Sequence, residues 1–199
     1  MMSKKEGEFI MLKSFKKSMI VLISCLSISI LSSAAIPKIS PKRASEYSAQ
    51  SARALSSPYS TVANVTVSGN FATLKETGQP FTGTYAEFNE VGRVQALRSY
   101  QDGKLHGPMF LYYENGNILK ATNYVNGVRD GEDVDFYGNG NSKTLRRYKN
   151  GALNGDSYDF DEFGRLASTI QYSNNVRHGK EIKYSNGIVT NENTYANGQ

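Results

Sequence analysis

Gly155-Asp156-Ser157-Tyr158-Asp159-Phe160-Asp161-Glu162-Phe163-Gly164-Arg165-Leu166-Ala167-Ser168-Thr169-Ile170-Gln171-Tyr172 reads as one β-hairpin. Tyr158 and Phe160 stand two apart with an acid between them, the period of a strand with one apolar face. Asp161-Glu162-Phe163-Gly164-Arg165 then supplies a three-residue loop ending in a glycine suited to the left-handed region. That loop pairs Asp161 with Arg165 and places Phe160 opposite Leu166 on the same face. One hairpin further on, Asn186-Gly187 lies between Ser185 and Ile188, a two-residue loop that sets Tyr184 opposite Val189. The one-residue deletion therefore falls in a loop and preserves the aromatic face.

The same signals recur outward along the chain. Gly83, Gly107, Gly131, Gly155 and Gly179 are each 24 apart, and Gly92, Gly116, Gly140 and Gly164 share the spacing. Tyr100, Tyr124, Tyr148 and Tyr172 follow it, with Tyr195 coming after 23. Asp102-Gly103, Asn126-Gly127, Asn150-Gly151 and Asn197-Gly198 mark the junctions, and Asn174-Asn175 is a variant that also tolerates positive φ. Within each first strand, Ala86, Phe110, Val134, Tyr158 and Ile182 form one column. Phe88, Tyr112, Phe136, Phe160 and Tyr184 form a second. Val94, Ile118, Ser142, Leu166 and Val189 line the returning strand. A fixed period of this size signifies a repeat array. The expected fold is all-β: tandem 24-residue β-hairpin repeats forming an extended single-layer antiparallel meander sheet. Five units should span residues 79–199, with residues 64–78 (Val65, Val67, Gly69, Phe71, Leu74, Gly78) as a degenerate unit ahead of them.

The pattern Tyr-x-Asn/Asp-Gly-x-x-x-Gly, followed by an aromatic strand, Asn-Gly or Gly-Arg/Asn and an apolar strand, resembles the bacterial MORN-repeat variant family. The resemblance covers roughly residues 78–199 and implies an open antiparallel β-meander. Some members are antitoxins and others are exported. The family brings no catalytic residues, so none are carried over.

Lys13, Lys16 and Lys17 precede an apolar run from Met19 to Leu31, and Ser32, Ser33, Ala34 and Ala35 follow. This is the order of a secretory signal peptide over residues 1–35, cleaved after Ala34 or Ala35. The run of 13 residues is short for a membrane span, which needs about 20. An uncleaved anchor and a lipidated Cys25, in Leu22-Ile23-Ser24-Cys25, are the rival readings, and either would be the route to membrane association. Residues 36–63 hold Pro37, Pro41 and many Ser and Ala without clear periodicity, and read as a flexible linker.

Composition narrows the function. Thirteen Tyr, nine Phe, 18 Gly and no Trp suit short strands and tight turns. Five Lys and two Glu lie in residues 1–35, leaving 18 basic against 16 acidic groups, so no nucleic-acid footprint is expected. Cys25 is the single cysteine, so a chain cleaved after it has no disulfide and no thiol nucleophile. His106 and His178 share a repeat position with Asp130, Asn154 and Thr82, a turn feature. Asp159 to Ile170 fails as a calcium loop, since Phe163 and Ile170 stand where ligands are needed. No catalytic, metal or cofactor residue is expected. The chain reads as an exported, non-enzymatic module that binds another protein in the periplasm, envelope or medium, adhesin-like or toxin-neutralising. The alternative is a cell-envelope structural or lipid-associated scaffold. Extending the loop register without interruption sets Tyr85 opposite Leu97, Met109 opposite Ala121 and Leu111 opposite Leu119. Tyr85, Leu97, Met109, Leu111 and Leu119 then form an apolar partner-binding patch on the face opposite the aromatic columns, unless residues 36–75 fold back over it.

Overall fold

The computed structural model describes residues 42–199, with side chains from Tyr47 onward. The leader and Cys25 lie outside the described residues. One helix, α1 (Lys42–Ser56), precedes the strands β1 (Tyr59–Ser60), β2 (Val65–Ser68), β3 (Phe71–Leu74), β4 (Gly83–Phe88) and β5 (Val94–Gln101). There follow β6 (Lys104–Tyr112), β7 (Ile118–Val125), β8 (Val128–Phe136), β9 (Ser142–Lys149), β10 (Ala152–Leu153) and β11 (Gly155–Phe160). The chain ends on β12 (Leu166–Ser173), β13 (Val176–Ser185) and β14 (Ile188–Tyr195). From β4 to β14 the strands run as one open antiparallel meander, with β1 laid parallel on the outer edge of β4.

The loops carry the register that their residues dictate. Phe160 pairs with Leu166, and the Asp161 amide donates to the Arg165 carbonyl at 2.9 Å. Tyr184 pairs with Val189 and Ser185 with Ile188 around Asn186 (φ 51°) and Gly187 (φ 78°). The Asn174-Asn175 junction adopts φ 49° and 69°, matching the Asn-Gly junctions beside it.

Successive hairpins are tied at both ends of the sheet, by bonds that recur along the chain. At the junction end, the amides of Gly103, Gly127, Gly151, Asn175 and Gly198 donate to the carbonyls of Phe81, Leu105, Arg129, Leu153 and Arg177, at 2.7–2.9 Å. The polar residue ahead of each strand glycine supports the same turns. Thr82 Oγ1 accepts the Asp102 amide at 2.9 Å, and Asp130 Oδ2 accepts the Asn150 amide at 3.0 Å. His106 Nδ1 accepts the Asn126 amide at 3.4 Å. At the hairpin-loop end, Tyr113 and Tyr137 hydroxyls donate to the carbonyls of Phe136 and Phe160 at 2.7 and 2.9 Å. Asn115 and Asn117 both donate to the Gly138 carbonyl, and Asn139 and Asn141 both donate to that of Glu162.

Two irregularities recur. The first strand of a unit bends at its glycine: Thr122 pairs with Asp133 but Tyr124 with Arg129, so β8 carries two surplus residues around Gly131. Gly131 has φ 105°, and a Cβ there would lie 3.2 Å from the Asn123 side chain, so a larger residue is disfavoured on both counts. The returning strand also holds a bulge just past the loop. Between β6 and β7, Tyr112 pairs with Ile118 but Leu111 with Lys120, leaving Leu119 as the extra residue.

The aromatic columns form the main core. Ala86, Leu97, Phe110, Ile118, Ala121, Val134, Phe136, Leu145, Tyr158 and Phe160 share it. Over them lies α1, through Tyr47, Ala54 and Leu55. Residues 42–56 are therefore a helix packed on the sheet rather than part of a flexible linker. The reason is local: the segment has no Gly or Pro, and Tyr47, Ser51, Ala54 and Leu55 fall on one helix face. Residues 64–78 also differ from expectation. The β2–β3 hairpin pairs with the meander only at Phe71 and Lys104 of β6, so it does not serve as the first member of the stack. It packs instead on the second face, where Val65, Ala72 and Phe81 close over Tyr85, Tyr100 and Leu105.

Candidate functional site

The repeated bulge decides where the five expected patch residues go. An uninterrupted ladder would have put Tyr85 opposite Leu97. The extra residue in β5 shifts the pairing, so Tyr85 meets Arg98 and Leu97 meets Ala86. Leu97 therefore points into the aromatic core at 1% exposure, on the face away from Tyr85, Met109 and Leu111. Tyr85 stays on the expected face but is buried there at 4% exposure beneath β2–β3. Met109 pairs with Thr122 and Leu111 with Lys120, in place of Ala121 and Leu119. Leu119 is the bulge residue itself. Of the five, Met109 and Leu111 stand two apart on β6, both half-buried. The contiguous apolar patch is thus replaced by a short pair, because each bulge moves the apolar residue beyond it to the core face.

Beyond the cluster under β2–β3, that second face carries charges paired across the strands. Glu87 pairs with Arg98 at 2.7 Å. Lys120 bridges Asp133 and Asp135 at 2.6 and 2.9 Å, and Arg129 reaches Asp133 at 3.3 Å. Arg146 pairs with Asp159. The Asp133 side chain is only 4% exposed, so its two cations are what make its burial tolerable. For Asp135, burial pushes the carboxyl pKa up, but hydrogen bonds from Lys120 and Thr144 outweigh it and hold the value below the ordinary one. Alternation of acids and bases leaves no basic face for an anionic surface among the described residues.

The tyrosine column runs along this face near the junction turns. Tyr100 is buried under β2–β3, where Phe81 packs on it with ring centroids 6.1 Å apart. Tyr148 and Tyr195 are half-buried and capped by Arg129 and Arg177, whose guanidinium carbons lie 4.0 and 5.5 Å from the ring centroids. These stacks satisfy the rings within the array.

On the aromatic face, α1 leaves a cleft on each flank. One, of about 210 Å³, is lined by Tyr47, Gln50, Phe110, Ala121 and Glu132 among others. The other, of about 300 Å³, lies between Ser51, Leu55, Tyr112, Ile118 and Phe136. Both sit at or below the lower end of small-molecule pockets, roughly 300–1,000 Å³. Burial raises the Tyr112 hydroxyl pKa, and Ser51 beside it offsets part of that rise. Among the described residues, no three His, Cys, Asp or Glu side chains are grouped as a metal site, and no helix is long and apolar enough to cross a membrane. The α1 contact was missed in the sequence because Ser51 and Ala54, which are small, interrupt the face that Tyr47 and Leu55 mark. No protein-family model matches the chain, and no curated protein matches it in sequence.

Proposed function

We propose that this chain is an exported, non-enzymatic repeat protein, of the MORN-variant kind its sequence resembles, that works by binding another protein. One observation carries the reading. The recurring side chains are consumed by the fold itself: junction Asn and Gly in turns, Tyr113 and Tyr137 in hairpin-to-hairpin bonds, Asn115 and Asn139 likewise. What varies between hairpins is the character of each sheet face, from Met109 and Leu111 on β6 to Asp133 and Asp135 on β8. A frame with constant joints and variable faces is suited to presenting an extended recognition surface.

Two measurements test it. N-terminal sequencing of protein recovered from the envelope or medium should begin near Ala35 or Ile36. Full-length protein confined to the cytosol would contradict export. Cross-linking of the exported chain in its own cells should yield a stoichiometric protein adduct. A chain that stays uncrosslinked while binding anionic vesicles would favour a lipid-associated scaffold.

A further inference from the structure

We propose that Asn186 is a self-modification site: its side-chain amide condenses with the Gly187 backbone nitrogen to a succinimide, which water opens to aspartate and isoaspartate. The proposal does not depend on the protein-binding reading above.

Asparagine followed by glycine is the pair in which this cyclisation is least hindered, because glycine puts no side chain beside the attacking nitrogen. The chain has seven such pairs, at Asn115, Asn126, Asn139, Asn150, Asn154, Asn186 and Asn197. The attacking nitrogen must shed its proton, so a glycine amide already bonded to a carbonyl is protected. The amides of Gly116, Gly127, Gly140, Gly151 and Gly198 donate to the carbonyls of Tyr113, Leu105, Tyr137, Arg129 and Arg177 at 2.7–2.9 Å. Gly155 lies inside β11, paired with Tyr172. Gly187 stands apart. It sits in the two-residue loop between β13 and β14, and its amide donates to no backbone carbonyl among the described residues.

The electrophile is prepared at the same pair. Arg165, in the loop of the preceding hairpin, donates Nη1 to Asn186 Oδ1 at 3.1 Å. A guanidinium on that oxygen draws electrons from Cγ and stabilises the negative charge that develops as nitrogen attacks. At Asn115 and Asn139 the corresponding oxygen accepts a neutral backbone amide instead, from Asn117 and Asn141. Cyclisation also needs the peptide plane between Asn186 and Gly187 to swing away from the turn geometry. Glycine tolerates the rotated plane, and a Cβ on Gly187 would meet nothing within 4 Å. The hairpin is the uncovered one, with Ile188 71% exposed beside the loop, so local opening is cheap there.

The chemistry needs only water. The Gly187 nitrogen bonds to Asn186 Cγ and gives its proton to solvent. The Cγ–Nδ2 bond breaks, and the nitrogen leaves as ammonia after taking a proton from water. Water then adds to one of the two succinimide carbonyls. Opening at Cγ gives an aspartate, which keeps the turn because that side chain also tolerates positive φ. Opening at the main-chain carbonyl routes the backbone through Cβ and Cγ, giving isoaspartate. The added carbon breaks the two-residue loop that pairs Ser185 with Ile188 and Tyr184 with Val189. Either product places a new carboxylate beside Arg165.

The test follows the full chain at neutral pH by peptide mapping that separates asparagine, aspartate and isoaspartate at each pair. Conversion at Asn186 should run at least about fivefold faster than at the five pairs whose glycine amide is bonded, the factor one net hydrogen bond supplies. Arg165→Gln should slow conversion at Asn186 alone by about three- to tenfold, less than a buried oxyanion donor would because the site is exposed. Arg165→Lys, which keeps the cation, should restore most of the rate. Similar rates at all the pairs, or a faster rate at a bonded one, would overturn the proposal. So would an Arg165→Gln chain that converts Asn186 as fast as the parent or faster, or an Arg165→Lys chain as slow as Arg165→Gln. These readouts are independent of export and of partner capture, so either proposal can fail without the other.

Discussion

The stretch from β5 to β9 and the stretch from β13 to β14 are built on the same hairpin, yet they are buried very differently. Phe110, Val134 and Phe136 are 1–2% exposed beneath α1. In the corresponding part of the last hairpin, Ile188 and Val189 are 71% and 52% exposed, and Ile182 is the one buried hydrophobic residue. Local sequence alone makes the strands and turns of both regions. The difference arises from what lies over them: α1 on one face of the first region, β2–β3 on the other face near its start, and neither over β14. A single-layer sheet has no core of its own, so its stability follows its covers.

The largest test of this contrast is paired truncation. Phe136→Ala should cost about 3–5 kcal/mol, as expected for a fully buried phenylalanine. Ile188→Ala should change stability by no more than about 0.5 kcal/mol, as expected for an exposed site. Equal losses in urea denaturation would mean that the last hairpin is covered in solution.

A smaller effect is expected at the buried charge. Asp133→Ala should cost about 1.5–3 kcal/mol, because Lys120 and Arg129 lose the carboxylate that both contact. A loss below about 0.5 kcal/mol would place that carboxylate among ordinary surface pairs.

Acid should sharpen the comparison further. The carboxyl pKa of Asp135 is depressed in the folded protein, since the bonds from Lys120 and Thr144 outweigh its burial. Its stabilisation is therefore fully present above the unfolded value, about 3.9, and is lost as pH falls through the folded value. Glu181 on β13 is also depressed, chiefly by the Tyr195 hydroxyl that donates to it at 2.7 Å, but it stands in the uncovered region. Asp135→Asn should flatten the fall in melting temperature between about pH 5 and pH 3 more than Glu181→Gln does. A larger effect from Glu181→Gln would reverse the assignment.

The smallest expected effect is a gain. Thr122 Oγ1 is buried without a hydrogen-bond partner on the face opposite α1. Thr122→Val should raise stability by about 1 kcal/mol by removing an unpaired hydroxyl. A clear loss would show that the hydroxyl is satisfied in solution.

Much of this architecture was legible in the sequence because turn chemistry is local. Asn186-Gly187 and Asp161 to Arg165 each have few backbone solutions, and those solutions fix Tyr184 against Val189 and Phe160 against Leu166. The patch was lost because register was carried past the loop without a bulge. The signal was present: Val94 and Leu97, and Ile118 and Ala121, stand three apart in a strand, and residues so spaced share a face only if one extra residue intervenes. With that residue inserted, Leu97 moves to the core and the patch dissolves. The helix was missed for a different reason. Residues 42–56 were read together with the Pro37 and Pro41 stretch before them, and Ser51 breaks the apolar face that Tyr47, Ala54 and Leu55 mark. Covers are tertiary features, and a repeat pattern describes only what it repeats.

The most direct test of the account is native-state hydrogen exchange along the meander. The ladder amides of β6 to β8 should exchange slowest, and those of β13 and β14 should exchange at least about a hundredfold faster, through local opening that leaves the covered strands folded. Uniform protection from β4 to β14, with every strand opening in one global step, would contradict the claim that stability in this sheet is set by its covers.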